Sequence, residues 1–416
     1  MIFEGKIELC ESKTVKKIIF DVPTNASELI VRFEYSPTSI GPLQNHVNLL
    51  FHDSLGRFMG RYDRGTKNFV VGLDASEAAV RGKPLPGKWT VFFENHQLFC
   101  DVRYKLEIVV EGNEEFHTFK GELHTHSRHS DGLLSVEELS TFLKKKGFDF
   151  FFLTDHSNVS GWRELGSVAG AVGFPGQELN TFKGHALVLG AKTFVDWKDE
   201  EGQEKDFSTI VREVHGQGAL VGVAHPFAMG DPVCVGCKWT YAFDPFSLDF
   251  VEVWNADLSR VELNYEAVGN WLKAVRSGKR ITATAGRDLH KRDESDWMSN
   301  YVSARGMELS EILWAIKSGR VYLSSVGEIK IDVSGKSVGD TVFHRGSVVL
   351  RVENLPRLSL LVVRKREVQR FDVCGSFEKK IDVEEPEDVL ILMGFDSEVR
   401  PALIVNPIFL IRGDPS

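Results

Sequence analysis

At 416 residues the chain exceeds what one hydrophobic core usually supports, so roughly two or three domains are expected. A hydrophobic share of 42% and a charged share of 26% are those of an ordinary globular protein, and 50 basic against 59 acidic residues give a formal charge of −9. That balance does not favour nucleic acid as a partner. The N-terminus, Met1-Ile-Phe-Glu-Gly-Lys-Ile-Glu, lacks the basic-then-apolar profile of a secretory signal. No apolar run is long enough to cross a bilayer, so the expected setting is cytoplasmic with no membrane partner.

From Lys6 to about Val110, short alternating or apolar runs such as Glu28-Leu-Ile-Val-Arg-Phe-Glu-Tyr and Trp89-Thr-Val-Phe-Phe-Glu-Asn are separated by turn chemistry. This predicts an antiparallel β-sandwich over residues 1–115. The polar stretch Glu111-Gly-Asn-Glu-Glu115 marks its boundary. Between 116 and 328 strand-like runs alternate with helix-like ones. Ser135 to Gly147 opens with Ser135 at an N-cap, Glu138 three residues on, and closes in lysines and glycine, which is a capping box and a stop. Phe148 to Thr154 then reads as a strand, Phe207 to Gly216 as a helix, Gly218 to Ala224 and Phe250 to Asn255 as strands, Tyr265 to Gly278 as a helix, Arg280 to Ala285 as a strand and Ser310 to Gly319 as a last helix. Such alternation implies parallel strands with crossover helices, in an α/β barrel or open sheet. Within this region Cys234 and Cys237 form a lone CxxC, read as structural or incidental thiols in preference to a local metal site or disulfide. From 329 to 416 the helices stop, and a small β domain is expected.

The chemistry concentrates at the predicted strand ends. His124 and His126 are spaced i, i+2, so on a strand both imidazoles face the same side, and Asp131 follows in a Ser-Asp-Gly turn. His156 closes the next strand, Glu178 follows Gly-Phe-Pro-Gly-Gln, His185 begins an apolar run, His225 ends a strand before Pro226, and Asp288 and His290 repeat the i, i+2 spacing. In a parallel α/β barrel the C-terminal strand ends converge on one face, so these residues would meet there as a metal site. Mixed imidazole and carboxylate donors suit zinc, manganese or iron better than calcium. Asp155 is a candidate for supporting the ligands or carrying a proton, with a turn role as the alternative. Arg128 and Arg287 are candidates for clamping an anion, with exposed arginine as the alternative.

In this order, Gly121-Glu-Leu-His-Thr-His, Ser130-Asp-Gly, Thr154-Asp-His, Gly176-Gln-Glu, Gly184-His, Ala224-His-Pro and Gly286-Arg-Asp-Leu-His resemble the PHP superfamily, named for polymerase and histidinol phosphatase. Within it, Glu252-Val-Trp-Asn and the closing Asn406-Pro-Ile-Phe-Leu are similar to the CehA/McbA branch of metal-dependent hydrolases. The resemblance covers about half the chain. It implies a distorted seven-stranded (β/α) TIM-like barrel with two or three divalent ions at its rim. His124, His126, Glu178 and Asp288 would hold one ion, Glu178 would bridge to a second completed by His185 and His225, and Asp131, His156 and His290 would take a third. Arg287 departs from the branch, which has serine there.

Adjacent divalent ions activate water, so hydrolysis is the expected reaction, with a small phosphate ester as the leading substrate. The alternative on the same centre is an ester, carbamate or amide. A carbohydrate- or protein-binding module with a structural metal is a weaker reading, because a structural site is usually closed and compact.

Overall fold

The computed structural model describes residues 1–66, 68–112, 115–256 and 261–413. The chain divides into two compact units, Met1–Phe116 and His117–Ser416. Residues 113 and 114 of the expected boundary, and the last three of the expected C-terminal domain, lie outside the described residues. No described helix is long and apolar enough to cross a membrane.

The first unit contains β1 (Ile2–Ile7), β2 (Thr14–Val22), β3 (Glu28–Ser36), β4 (Ser39–Ile40), β5 (Leu43–Gln44), β6 (His46–His52), β7 (Phe58–Tyr62), β8 (Phe69–Val71), β9 (Gly87–Gln97) and β10 (Val102–Glu111). Two four-stranded antiparallel sheets form, in the orders β1-β10-β3-β8 and β2-β9-β6-β7. Alternation explains them. Leu29, Val31 and Phe33 on β3, and Trp89, Val91 and Phe93 on β9, are buried while Arg32 and Glu34 are exposed. Both sheets feed one core that includes Phe20, Phe51, Phe69 and Leu106. Each such side chain contributes about 1.5–3 kcal/mol when fully buried. The indole N–H of buried Trp89 donates to Leu85 O, so its polar atom is satisfied.

The second unit starts with β11 (His117–Thr125), α1 (Val136–Lys145), β12 (Phe150–Leu153), β13 (Val172–Asn180) and β14 (His185–Leu189). It continues through α2 (Phe207–Gly216), β15 (Leu220–Val223), β16 (Phe250–Asn255), α3 (Val261–Arg276), β17 (Thr282–Gly286), β18 (Ser299–Ala304), α4 (Leu309–Lys317) and β19 (Val321–Ser324). Helix α1 forms where its capping box predicts: Ser135 Oγ accepts from the Glu138 N–H at 3.2 Å and Glu138 returns a carboxylate oxygen to the Ser135 N–H at 2.9 Å. Strand β12 is buried at every residue, as expected of a strand covered on both faces. Gly121 lies against it, and a Cβ there would stand 2.1 Å from the Phe150 ring.

Strands β17-β16-β15-β14-β13-β12-β11 are consecutive neighbours in one 16-stranded sheet, which continues through β18 and β19. Past β17 the chain returns to the end of β11, where Thr125 bridges Leu289 in parallel. The His126 N–H donates to Leu289 O at 3.0 Å, and the Leu289 N–H to His124 O at 3.1 Å. The expectation of parallel strands throughout is corrected here: β14 runs antiparallel to both β13 and β15. The reason is length, since only Thr181-Phe-Lys-Gly184 joins β13 to β14 and a crossover needs a dozen residues or more.

The remaining strands are β20 (Lys330–Val333), β21 (Thr341–His344), β22 (Ser347–Val363), β23 (Val368–Asp382), β24 (Glu387–Phe395), β25 (Pro401–Val405) and β26 (Ile408–Arg412). They extend the same sheet through the β19–β25 pair and share a core built on Leu350, Val352, Leu360, Leu392 and Leu403.

Candidate metal centre

The strand ends bring nine predicted ligands together. His124 lies in β11, His126 and Asp131 follow it, and His156 follows β12. Glu178 sits near the end of β13, His225 follows β15, and Asp288 and His290 follow β17. His185 is the first residue of β14, paired with Asn180. Because β14 is antiparallel, its beginning lies level with the ends of its neighbours, which is how a strand-opening histidine joins the set.

Glu178 is the centre of the arrangement. Its Oε2 stands 3.3 Å from His124 Nε2, 3.5 Å from His126 Nε2 and 2.8 Å from His156 Nδ1. Its Oε1 stands 3.1 Å from His185 Nδ1 and 3.2 Å from His225 Nε2. Asp288 Oδ1 lies 3.3 Å from His124 Nε2 and 3.0 Å from His126 Nε2. Asp131 Oδ1 lies 3.4 Å from His156 Nε2 and 3.2 Å from His290 Nε2. Donors sharing a tetrahedral ion at roughly 2.1 Å stand roughly 3.4 Å apart, so these separations fit shared cations.

His124 Nε2, both ring nitrogens of His126, Nδ1 of His156 and of His225, Glu178 Oε2 and Asp288 Oδ1 are buried without a hydrogen-bond partner. Buried polar atoms are almost always satisfied, so such a concentration in one place is the pattern of donors aimed at a cation. The donor set, imidazole with carboxylate, suits a transition-metal or zinc ion. The residues present therefore fit divalent ions.

The charges are strongly coupled. Burial disfavours the charged form of Glu178, but the imidazoles of His124, His156 and His185 outweigh it and hold the carboxyl well below its usual range. Asp288 is lowered in the same way, against burial, by His124 and His126. His124 is raised well above its ordinary value despite burial, by Asp288, Glu252 and Glu178. Burial likewise opposes but does not prevent a rise to about 9 at His156, driven by Glu178 and Asp131. His126 moves the other way, because burial dominates there.

Two carboxylates behind the ligands carry no assigned role in the sequence reading. Glu252 Oε1 stands 3.0 Å from His124 Nδ1, and its Oε2 accepts from the His225 N–H and the Asn255 amide, both at 2.9 Å. It thereby orients the His124 ring and the backbone of His225, two predicted ligands, the latter at φ +28. Glu122 accepts from the His124 N–H, the Arg287 N–H and the Trp297 indole, and burial pushes its carboxyl up to about 7. Each is the one acidic residue of its strand, Glu252 among apolar neighbours and Glu122 beside Gly121, and both are buried, where an uncompensated charge is costly.

The three predicted non-ligand residues lie apart from the cluster's donor groups. Asp155 is buried and accepts from Ser127 N–H at 2.7 Å, Ser127 Oγ at 2.7 Å and Ser130 Oγ at 2.6 Å. It thus holds the loop that presents Asp131. Arg128 is exposed and paired with Glu138 at 3.1 Å. Arg287 is paired with Asp293 and lies over Trp297. The reading of Cys234 and Cys237 as structural or incidental thiols in preference to a disulfide is corrected: they form a disulfide, their Cα atoms 5.5 Å apart across a tight turn.

No family model matches the chain, and no curated protein matches it. Among solved structures it is similar to a two-domain protein from Bacteroides vulgatus ATCC 8482 containing a predicted PHP-like metal-dependent phosphoesterase. That match has 16% identity and a TM-score of 0.39, covering 71% of this chain and 98% of that one. A protein from Bifidobacterium adolescentis ATCC 15703, whose own assignment as a metal-dependent phosphoesterase is an inference, matches at 15% identity and a TM-score of 0.32, over 42% of this chain and 90% of that one. An amidohydrolase from Chromobacterium violaceum, with bound sulfate and no metal, matches at 16% identity and a TM-score of 0.28, over 48% and 96%. Matches this remote transfer no activity.

Proposed function

We propose that the chain is a PHP-type metal-dependent hydrolase acting as a phosphoesterase on a small phosphorylated molecule. The observation that carries this reading is the division of Glu178, with one carboxylate oxygen toward His124 and His126 and the other toward His185 and His225. A single carboxylate between two donor sets is what adjacent cations need. We read His124, His126, Glu178 and Asp288 as one site, Glu178, His185 and His225 as a second, and Asp131, His156 and His290 as a third, taking two or three zinc, manganese or iron ions. Strands β11 to β17 would be the distorted seven-stranded barrel of that superfamily, supported by the Thr125–Leu289 bridge between its two ends. In this reading the barrel spans 116–328, a sandwich precedes it and a small β domain of 329–416 follows. The CehA/McbA-like branch rests on the motifs around Glu252 and Asn406.

Divalent ions, when bound, supply Lewis acidity and lower the pKa of water. The chain's own groups position that chemistry. Glu252 fixes the His124 ring, Glu122 ties the β11 end to the Arg287 backbone, and Asp155 holds the Asp131 loop, a positioning role in place of proton transfer. Burial of Glu178 and His126 keeps water from competing for the donors.

A second reading, hydrolysis of a carboxylic ester, carbamate or amide, is favoured by one observation. Arg128 and Arg287 are already engaged by Glu138 and Asp293, and a cavity that begins at Phe227, two residues past His225, is lined by Phe182, Met229, Val233 and Leu263, with Lys238 set against the carboxylates Asp231 and Glu266. An apolar substrate portion would fit there better than a second phosphate. The deciding experiment loads the protein with zinc, manganese or iron and compares p-nitrophenyl phosphates with p-nitrophenyl carboxylates. Phosphate turnover is expected, and turnover of carboxylates alone would replace the first reading with the second.

A further inference from the structure

The disulfide falls beside the metal cluster. Cys237 brings its sulfur within 4.8 Å of one ring nitrogen each of His185 and His225, themselves within 4.8 Å of one another. Cys237 is buried, and so is His225, whose Nδ1 has no hydrogen-bond partner. Both histidines stand on Glu178 Oε1. A sulfur and two imidazoles thus lie together, and the same two imidazoles reach the Glu178 carboxylate. The other three cysteines lie elsewhere: Cys10 and Cys100 belong to the first unit, and Cys374 to strand β23.

We propose that Cys237 is a redox-gated fourth protein ligand of the cation held by Glu178, His185 and His225, withheld in the Cys234–Cys237 disulfide and released by a dithiol reductant. This rests on the metal-centre reading above and adds a regulatory device to it. The exchange is balanced: a dithiol gives up two electrons and two protons, becomes a cyclic disulfide, and leaves Cys234 and Cys237 as thiols. Cys237 then loses its proton as its sulfur bonds the cation. A disulfide sulfur is a poor donor, so the oxidised site keeps three protein ligands and an open position. With Cys237 bound the shell has four, the closed arrangement of structural zinc sites. Thiolate also shifts the preference of the site away from manganese toward zinc or cobalt.

The surrounding backbone keeps the sulfur in place when the bond opens. The Trp239 N–H donates to Pro226 O at 3.1 Å, and the Thr240 N–H donates to Lys183 O at 2.6 Å, tying the loop to the turn between β13 and β14. Gly236 sits at φ +72 with its Cα so close to Thr181 that a Cβ would stand 2.0 Å from the carbonyl oxygen. Neither restraint involves sulfur.

The test is cobalt(II) titration of the chelator-stripped full chain without oxygen, read by absorption. Thiolate ligation gives an intense near-ultraviolet sulfur-to-cobalt charge-transfer band, whereas imidazole and carboxylate ligands alone give only weak visible bands. Four samples are compared: dithiothreitol-reduced and oxidised wild type, C234S and C237S. The band is expected in the reduced wild type and in C234S, and its loss is expected in oxidised wild type and in C237S. C237S retaining the band would assign it to another cysteine and overturn the proposal. Cobalt bound in reduced wild type and C234S with weak visible bands only would overturn it too, while leaving the metal centre standing. No cobalt bound in any sample would overturn both.

Discussion

Glu252 stands 3.0 Å from Nδ1 of His124, while Nε2 of the same ring points to Glu178 and Asp288 at 3.3 Å each. The carboxylate therefore selects the tautomer whose Nε2 lone pair faces the cation cluster, and it raises that nitrogen's basicity. Glu252→Gln keeps the shape but loses the charge and one acceptor. It is expected to weaken metal binding by about 10–100-fold with the circular dichroism spectrum unchanged. Competition against a chelator of known affinity measures this, and parent-like affinity would remove Glu252 from the site.

Glu178→Ala tests the bridge itself. It removes the one group shared by the His124/His126 and His185/His225 sets, so bound metal per chain should fall by about one ion or more, as metal analysis after gel filtration would read. The first unit contains none of the ligands and should unfold as in the parent. A variant as fully loaded as the parent would show that Glu178 does not hold the ions.

Gly286→Ala reaches the same centre without removing a donor. A Cβ at Gly286 would lie 1.9 Å from Glu252 Oε1 and 2.5 Å from His124 Cβ, so both must move. Overpacking of this kind costs about 1–3 kcal/mol, and here the displaced groups are a proposed ligand and the carboxylate that orients it. The expected result is metal loss larger than the drop in thermal stability explains. Unchanged loading with unchanged stability would mean that the strand yields there at no cost.

Most of the predicted ligands were legible as a cluster because they are polar residues close to the end of a strand-like run, twice in an i, i+2 pair, while His185 opens its run and Asp131 sits in a polar turn. Helix α1 was legible for a similar reason, since Ser135 and Glu138 announce its start. Glu122 and Glu252 were not, because their role depends on what lies across the sheet, 165 residues away for the Arg287 N–H and 128 for His124. The direction of β14 was missed because periodicity does not report strand polarity; the short 181–184 link does. Arg128 shows the same limit. Its charge suggests an anion, yet Glu138, committed to capping α1, also holds the guanidinium.

The last prediction concerns pH. In the metal-free protein His156 is raised from 6.5 to about 9, burial opposing and Glu178 and Asp131 prevailing. The folded state therefore holds a proton that the unfolded chain releases, and the stability this supplies is complete below about pH 6.5 and lost as pH rises through about 9. His124 and His225 are also raised, so they act in the same direction. The lowered His126 acts below that window, and Glu122, raised from 4.5 to about 7, adds to the fall in the lower part of the window, as pH rises through about 7. Bound cations replace these protons, so loading should become more favourable as pH rises. Melting temperatures of chelator-stripped and metal-loaded protein, measured from pH 6.5 to 9, should diverge, with the stripped form falling. A gap that stays constant across the window would mean that the histidines carry no proton for the metal to displace.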